Sequence, residues 1–434
     1  MKLNSTIKSF VALAVVASLA SCKPHLNEVT PNSGEADFSR YIAVGNSLTS
    51  GFADGGLYLE GQKNSFPLMI ATQMKAAGGG EFSTPFFEES QSNGSGYLQF
   101  TGFSATGTPI LTPVTTNLAV TGSLPNNAGP AYAKYTGAEL NNYGVPGIKL
   151  KHITVANYGY ANGYFGRLLS TDPASNYLNF VMAKPFTFFS CWLGNNDILA
   201  YATNGAVNSG DDTATDKGLF AQLYNLAINT LTSKGAKGVV ATIPDVASTA
   251  YFNTVTLAAL QAAAGGADVY IQTGAGLARK ATAADKFTLK LSSAGVMGKP
   301  NGAGIPYGFH PLNPVASQFV LDEAEQIQVA DYISSYNAVI KKAAADKGLA
   351  VFDANAMLKE FANPQVIDGA TVSSKFVTGN LFSLDGIHLT PMGYAIAANG
   401  FIKAINQTYG SNLSPVNIAN YRGVKFPGAA VNAQ

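Results

Sequence analysis

The sequence predicts a three-layer α/β/α sandwich, a central parallel sheet covered by helices on both faces and carrying two long insertions. Three observations lead there. Short apolar runs alternate with helix-patterned segments along most of the chain, as expected when each strand returns to the sheet through a helix. The 434 residues are 47% hydrophobic, enough to bury a sizeable core under both helical layers. Two stretches, about 78–137 and 250–314, break the alternation with Gly, Ser, Thr, Asn and Pro. They read as insertions with some β structure, forming a rim or lid.

The first element stands outside the fold. Lys2 and Lys8 precede an apolar run from Phe10 to Ala20, the layout of a signal peptide over residues 1–21. That run is about half of the roughly 20 residues a bilayer span needs. It ends in Leu19-Ala20-Ser21-Cys22, which resembles the bacterial lipobox. The resemblance implies a lipid on Cys22, an anchor in a membrane and a body outside the cytoplasm, periplasmic or at the cell surface. The alternative is a plain signal peptide that contains a cysteine. Residues 22–38 are polar and without periodicity, a tether between anchor and body. Lipidation would leave Cys191, in the apolar run "PFTFFSCWLG", without a disulfide partner and as an inert buried thiol.

The body, 39–434, opens with the strand "YIAVGNS" and the helix "FPLMIATQMKAA". Beyond the first insertion come the strand "PFTFFSCWLG", the helix "GLFAQLYNLAINTLTSKG" and the strand "AKGVVATIPDV". The second insertion is followed by the helix "VADYISSYNAVIKKAAADKG" and the strand "LAVFDANAML". With 27 Lys+Arg against 26 Asp+Glu, no net field would gather nucleic acid or an anionic surface. The expected partners are neutral.

In an open α/β sheet, reactive groups collect at the carboxyl ends of the strands. Ser47 stands there, just past the first strand, after a glycine that permits a tight turn. The stretch Gly45-Asn46-Ser47-Leu48-Thr49 lacks the second glycine of the G-x-S-x-G elbow. A serine nucleophile needs a base, and the chain has four histidines. His25 falls in the tether, His152 has no nearby carboxylate and reads as packing, and His310 lies in an insertion loop. His388 alone has a carboxylate at triad-like spacing. Asp385, three residues before it, can fold back onto the ring nitrogen that faces away from the serine.

Gly45-Asn46-Ser47-Leu48, "NNYGVPG", Gly194-Asn195-Asn196-Asp197 and Asp385-Gly386-Ile387-His388 occur in that order, and the set resembles the SGNH (GDSL) hydrolase superfamily. "GNSLTSGFADGGLYLEGQKNSFP" and "WLGNNDILAYATNG" are similar to lipoprotein members of Bacteroidetes type. The resemblance implies a flavodoxin-like SGNH-hydrolase fold and catalysis by Ser47, His388 and Asp385. It also implies an oxyanion hole from the Ser47 N–H, the Asn196 amide and a backbone N–H of Gly147, with Gly144 as the alternative; Asn195 is next should Asn196 fail. The family usually has Asp where this chain has Asn46, which bears on loop geometry. No cofactor or metal is implied, and no H-E-x-x-H, Walker or dinucleotide motif is present.

The expected reaction is serine ester hydrolysis of short-chain acyl or carbohydrate O-acyl esters, on a small molecule or a polysaccharide. A lipid acyl hydrolase and a non-catalytic glycan- or partner-binding surface lipoprotein are the alternatives. Other residues read as structural: Asp197 as a loop carboxylate, Asp245 and Asp353 as caps, Trp192 as core. Phe103 and Tyr307, in the insertions, are candidate platforms for a sugar ring.

Overall fold

The computed structural model describes residues 30–104, 107–169 and 174–428. The signal peptide, Cys22 and His25 lie outside the described residues. Five parallel strands form the sheet: β1 (Tyr41–Gly45), β2 (Asn142–Gly144), β3 (Phe188–Trp192), β4 (Lys237–Ala241) and β5 (Ala350–Phe352). Their spatial order is 2-1-3-4-5. The order reverses between β1 and β3, the switch point beside which this doubly wound topology opens a crevice. The flanking helices are α1 (Ser47–Ser50), α2 (Phe66–Lys75), α3 (Asn196–Thr203), α4 (Lys217–Thr232), α5 (Glu323–Asp346) and α6 (Pro391–Tyr409).

Strand side chains alternate between faces, so each strand feeds two cores. Ile42, Val44, Phe189 and Val240 pack with Ile228 of α4 and with Ile333 and Ile340 of α5. Tyr41, Ala43, Trp192 and Val239 pack with Phe66 and Ile70 of α2 and with Tyr394, Phe401 and Ile405 of α6. Both faces are apolar, which is why the sequence shows runs rather than alternation in the central strands. Helix starts follow their caps. Asp322 and Glu325 form a reciprocal capping box on α5, and the Thr390 side chain caps α6 just before Pro391. That cap begins α6 two residues after His388 and fixes the loop's exit. No helix among the described residues is long and apolar enough to cross a membrane.

The first insertion carries two hairpins, Tyr97–Phe103 with Pro109–Val114 and Val120–Ser123 with Pro130–Tyr132. The second builds a small core of its own from Val269, Ile271, Phe287, Leu291, Val315 and Val320. It runs past residue 314, because Lys286–Phe287 pairs with Val320–Leu321. A further hairpin, Gln365–Ile367 with Ala370–Val372, lies between β5 and α6, a stretch for which no element is expected from the sequence. The end of the expected tether is docked: the Glu35 N–H donates to the Tyr409 carbonyl, and the buried Phe38 ring meets Phe188 edge-on at 5.0 Å. Alternate polar residues around Phe38 had hidden this one anchor.

Candidate functional site

The turn from β1 into α1 puts Ser47 at the carboxyl edge of the sheet. A Cβ on Gly45 would lie 2.0 Å from Thr49 Oγ1 and 2.9 Å from the Trp192 carbonyl oxygen, so only glycine fits the turn. Asn46 caps the helix, its Oδ1 accepting the Leu48 N–H at 3.0 Å. Asparagine thus supplies a helix cap of the kind an aspartate can supply. The Asn46 Nδ2 and the Asn195 Oδ1, both beside the cleft described below, are buried without a hydrogen-bond partner among the described residues.

Ser47 and His388, 341 residues apart in sequence, meet with Oγ and Nε2 separated by 2.8 Å. The other ring nitrogen, Nδ1, lies 2.7 Å from Asp385 Oδ2. A short pinched loop makes this possible. Phe382 and Leu389 form an antiparallel bridge, and the Ser383 N–H donates to the His388 carbonyl at 2.8 Å. Asp385 and His388 therefore sit on one tight tip. Asp385 Oδ1 accepts the N–H groups of Ile387 and His388 at 2.9 and 2.8 Å, and its Oδ2 accepts the Gly55 N–H at 3.0 Å. Burial alone would raise its pKa, but the charge of His388 and these hydrogen bonds outweigh it and hold the carboxyl at about 2. An ionised Asp385 only accepts, so Nδ1 carries the proton and Nε2 is left to accept from the serine. The Phe52 ring packs on the imidazole, centroids 4.5 Å apart.

The donor side is built from β2 and α3. Asn196 opens α3, and one hydrogen of its Nδ2 goes to the Ile148 carbonyl at 3.0 Å. An amide NH2 has two hydrogens, so that bond orients the group and leaves one free. Gly147, directly before Ile148, has φ +80 and an N–H with no acceptor among the described residues; the Ser47 N–H is likewise open. Gly144 is different. Its N–H is taken by Asn142 Oδ1 at 2.9 Å. Asp197 ties the two elements, its carboxylate accepting the Leu150 N–H at 2.9 Å and the Thr215 hydroxyl at 2.7 Å. Burial pushes its pKa up to about 6 against the pull of those bonds and of Lys149 and Lys151.

A cleft, open at its mouth, runs from Ser47, Asn196 and His388 over the carboxyl ends of β3, β4 and β5. Its walls are mostly apolar and include Leu48, Trp192, Leu199, Met357, Leu358 and Phe382. Among the described residues, none between 78 and 137 or between 250 and 314 lines the cleft, so the described parts of the expected rim or lid are not part of its wall. Trp192 is core on one side, its Nε1 bonded to the Thr242 carbonyl at 3.2 Å, and cleft floor on the other.

The remaining candidates fall elsewhere. Phe103 packs edge-on against Phe100 in its hairpin, and the Tyr307 hydroxyl accepts the Ala316 N–H; neither lines the cleft. His152 stacks on Tyr158, and burial lowers its pKa. His310 Nδ1 accepts the Leu312 N–H within its own loop. Asp245 and Asp353 cap the turns that follow them. Cys191 is buried, and that burial pushes its thiol up to about 12. Sequence reasoning missed Met357 and Leu358, which lie in an ordinary amphipathic helix. It also missed Asn162, whose Nδ2 holds the Pro146 carbonyl at 2.9 Å beneath the Gly147 turn.

No protein-family model and no curated protein sequence matches the chain. Among solved structures it is similar to LAE5, an alpha/beta hydrolase enzyme from the metagenome of Lake Arreo, Spain, at 11% identity and a TM-score of 0.36, over 86% of this chain and 96% of that one. It is also similar to the lipase/acylhydrolase from Enterococcus faecalis, at 11% identity and a TM-score of 0.33, over 87% of this chain and 100% of that one. The extracellular lipase from Streptomyces rimosus is 13% identical at a TM-score of 0.32, over 85% of this chain and 98% of that one. Likenesses this loose leave the chemistry to be read from the chain's own atoms.

Proposed function

We propose that the chain is a serine ester hydrolase of SGNH type working through an acyl-enzyme. One observation carries the reading: the unbroken run Ser47 Oγ, His388 Nε2, His388 Nδ1, Asp385 Oδ2 with links of 2.8 and 2.7 Å. His388 takes the Ser47 proton as Oγ bonds to the ester carbonyl carbon. Negative charge collects on the former carbonyl oxygen, where the N–H groups of Ser47 and Gly147 and the free Asn196 hydrogen stabilise it. The alcohol leaves with the proton from Nε2. Water, deprotonated by Nε2, then attacks the acyl-enzyme; the acyl–Oγ bond breaks, Nε2 returns the proton to Ser47 Oγ, and the acid is released.

The apolar cleft suits an aliphatic acyl arm, which supports acyl esters and, through the same walls, favours a lipid acyl ester as the second reading. A carbohydrate alcohol would extend into solvent from the mouth. Residues 1–21 and Cys22 complete the proposal: a lipid-anchored enzyme outside the cytoplasm, with no nucleic-acid partner. Fractionation beside a Cys22→Ala variant tests the anchor, and equal membrane retention of a processed variant rejects it. A fluorophosphonate probe tests the chemistry. It is expected to label Ser47 alone, and aryl esters of increasing acyl length are expected to turn over. An unlabelled Ser47 in folded protein would leave a binding protein in place of the enzyme.

A further inference from the structure

Asp54 lies in "GFADGG", a stretch that reads as an ordinary glycine-rich turn, and nothing in the reaction above uses it. Its position is unusual for a turn aspartate. The side chain is buried, at 6% exposure, and the backbone is left-handed with φ +54, a conformation that costs a non-glycine residue. A buried carboxylate on a strained backbone persists only where its surroundings hold it there. Here two of its contacts lead to the segment that carries Asp385.

Asp54 Oδ1 accepts the Leu384 N–H at 2.9 Å, the residue before Asp385. Its own N–H donates to Ser383 Oγ at 2.9 Å, and that hydroxyl lies 3.3 Å from Asp385 Oδ1. Gly55, the next residue, donates its N–H to Asp385 Oδ2 at 3.0 Å. The far oxygen, Asp54 Oδ2, accepts the Tyr58 hydroxyl at 2.7 Å. Tyr58 is stacked on Tyr97, centroids 4.2 Å apart, and its hydroxyl also receives Arg422 Nη2 at 3.4 Å while Arg422 pairs with Glu60 at 2.6 Å. The network thus runs from the C-terminal segment through one tyrosine into one carboxylate, and from there to both ends of the residue that orients the base.

We infer that Asp54 is the positioning residue of the proposed triad: it clamps the Ser383–Asp385 segment so that Asp385 meets His388 Nδ1. The inference rests on the ester-hydrolase reading for its catalytic consequence, but the clamp itself is a statement about one hydrogen bond. Asp54 touches no substrate. Its loss lets the Asp385 loop drift, and a misplacement on the order of 1 Å costs about 100-fold in turnover.

The test combines two readouts. The first is the low-field proton resonance of His388 Nδ1–H, identified by its disappearance in Asp385→Ala, which reports the clamp whether or not any ester is hydrolysed. Asp54→Ala is expected to shift or broaden it, and Asp54→Asn, which keeps an acceptor for Leu384, to restore it. The second is kinetic. Asp54→Ala is expected to lower kcat about 10- to 100-fold with KM nearly unchanged, and to cost nothing further in an Asp385→Ala background, because both changes remove the same function. Tyr58→Phe, which keeps the ring stack and drops only the hydroxyl, covers the case in which Asp54→Ala fails to fold; it is expected to shift the same resonance and lower kcat a few-fold. An unmoved resonance in folded Asp54→Ala or Tyr58→Phe overturns the inference, as does an undiminished kcat loss in the Asp385→Ala background. A resonance that shifts as expected in a protein that labels with no probe and cleaves no ester upholds the clamp and rejects the enzyme.

Discussion

Two carboxylates stand behind the cleft, Asp385 against His388 and Asp197 beside Asn196; desolvation pushes both pKa values up, and their partners answer it differently. Asp385 has an imidazole and three backbone N–H groups, and its pKa falls to about 2. Asp197 has one backbone N–H, one hydroxyl and the smaller pull of Lys149 and Lys151, and burial raises its pKa to about 6. A charge placed to steer a base must stay a charge at neutral pH. A carboxyl that merely ties two loops can be protonated without losing its acceptor, so its neighbours need not compensate for its burial.

The largest expected effect breaks this contrast at Asp385. Asp385→Asn favours the wrong imidazole tautomer and is expected to lower kcat by about 10⁴-fold. Asp197→Asn keeps an acceptor for Thr215 and touches no reacting atom, so steady-state kinetics on an aryl ester should find its kcat within a few-fold of wild type. Equal losses in the two variants would show that the two carboxylates share one role. Next in size is Asn196→Ala on the Asp197 side. It removes a donor to the developing oxyanion and is expected to cost about 10²–10³ in kcat with the fold intact by circular dichroism. Activity within a few-fold of wild type would take Asn196 out of the mechanism.

What could be read from sequence tracks how local each device is. The proposed triad could be read because Asp385 stands three residues before His388, Ser47 follows the first strand, and four motif blocks resembling one superfamily occur in order. Choosing Gly147 over Gly144 required coordinates, since only a three-dimensional neighbour, Asn142 Oδ1, reveals that the Gly144 N–H is already occupied. Four of the five strands followed from apolar runs that both sheet faces demand, whereas β2 is three residues with no such run and the hairpin at 365–372 pairs three residues with three, leaving no period to read. Met357 and Leu358 look like any apolar stripe of a helix, and their place in the cleft comes from where β5 ends. Asp54 was hidden by its glycines, which explain a turn so well that the buried acid within it drew no separate reading.

The smallest effect sharpens the comparison through the pH dependence of stability. For Asp385 the folded value of about 2 lies below the ordinary 3.8, so the folded state releases its proton more readily. Its contribution, roughly 2–3 kcal/mol, is present above about pH 4 and is lost as the pH falls towards 2. For Asp197 the folded value of about 6 lies above 3.8, so the folded state holds its proton more tightly. Folding is penalised by a similar amount at pH 7 and above, and the penalty is relieved as the pH falls from about 6 to 4. Urea unfolding of wild type from pH 3 to 8 should therefore show these two slopes with opposite signs on either side of about pH 4 to 5. Asp385→Asn should make the acid limb shallower, and Asp197→Asn the limb between pH 4 and 6, to which Glu325, pushed up to about 7 by burial, also contributes. Should Asp197→Asn leave that upper limb as steep as in wild type, the Asp197 carboxyl stays ionised in the fold and the contrast between the two acids disappears.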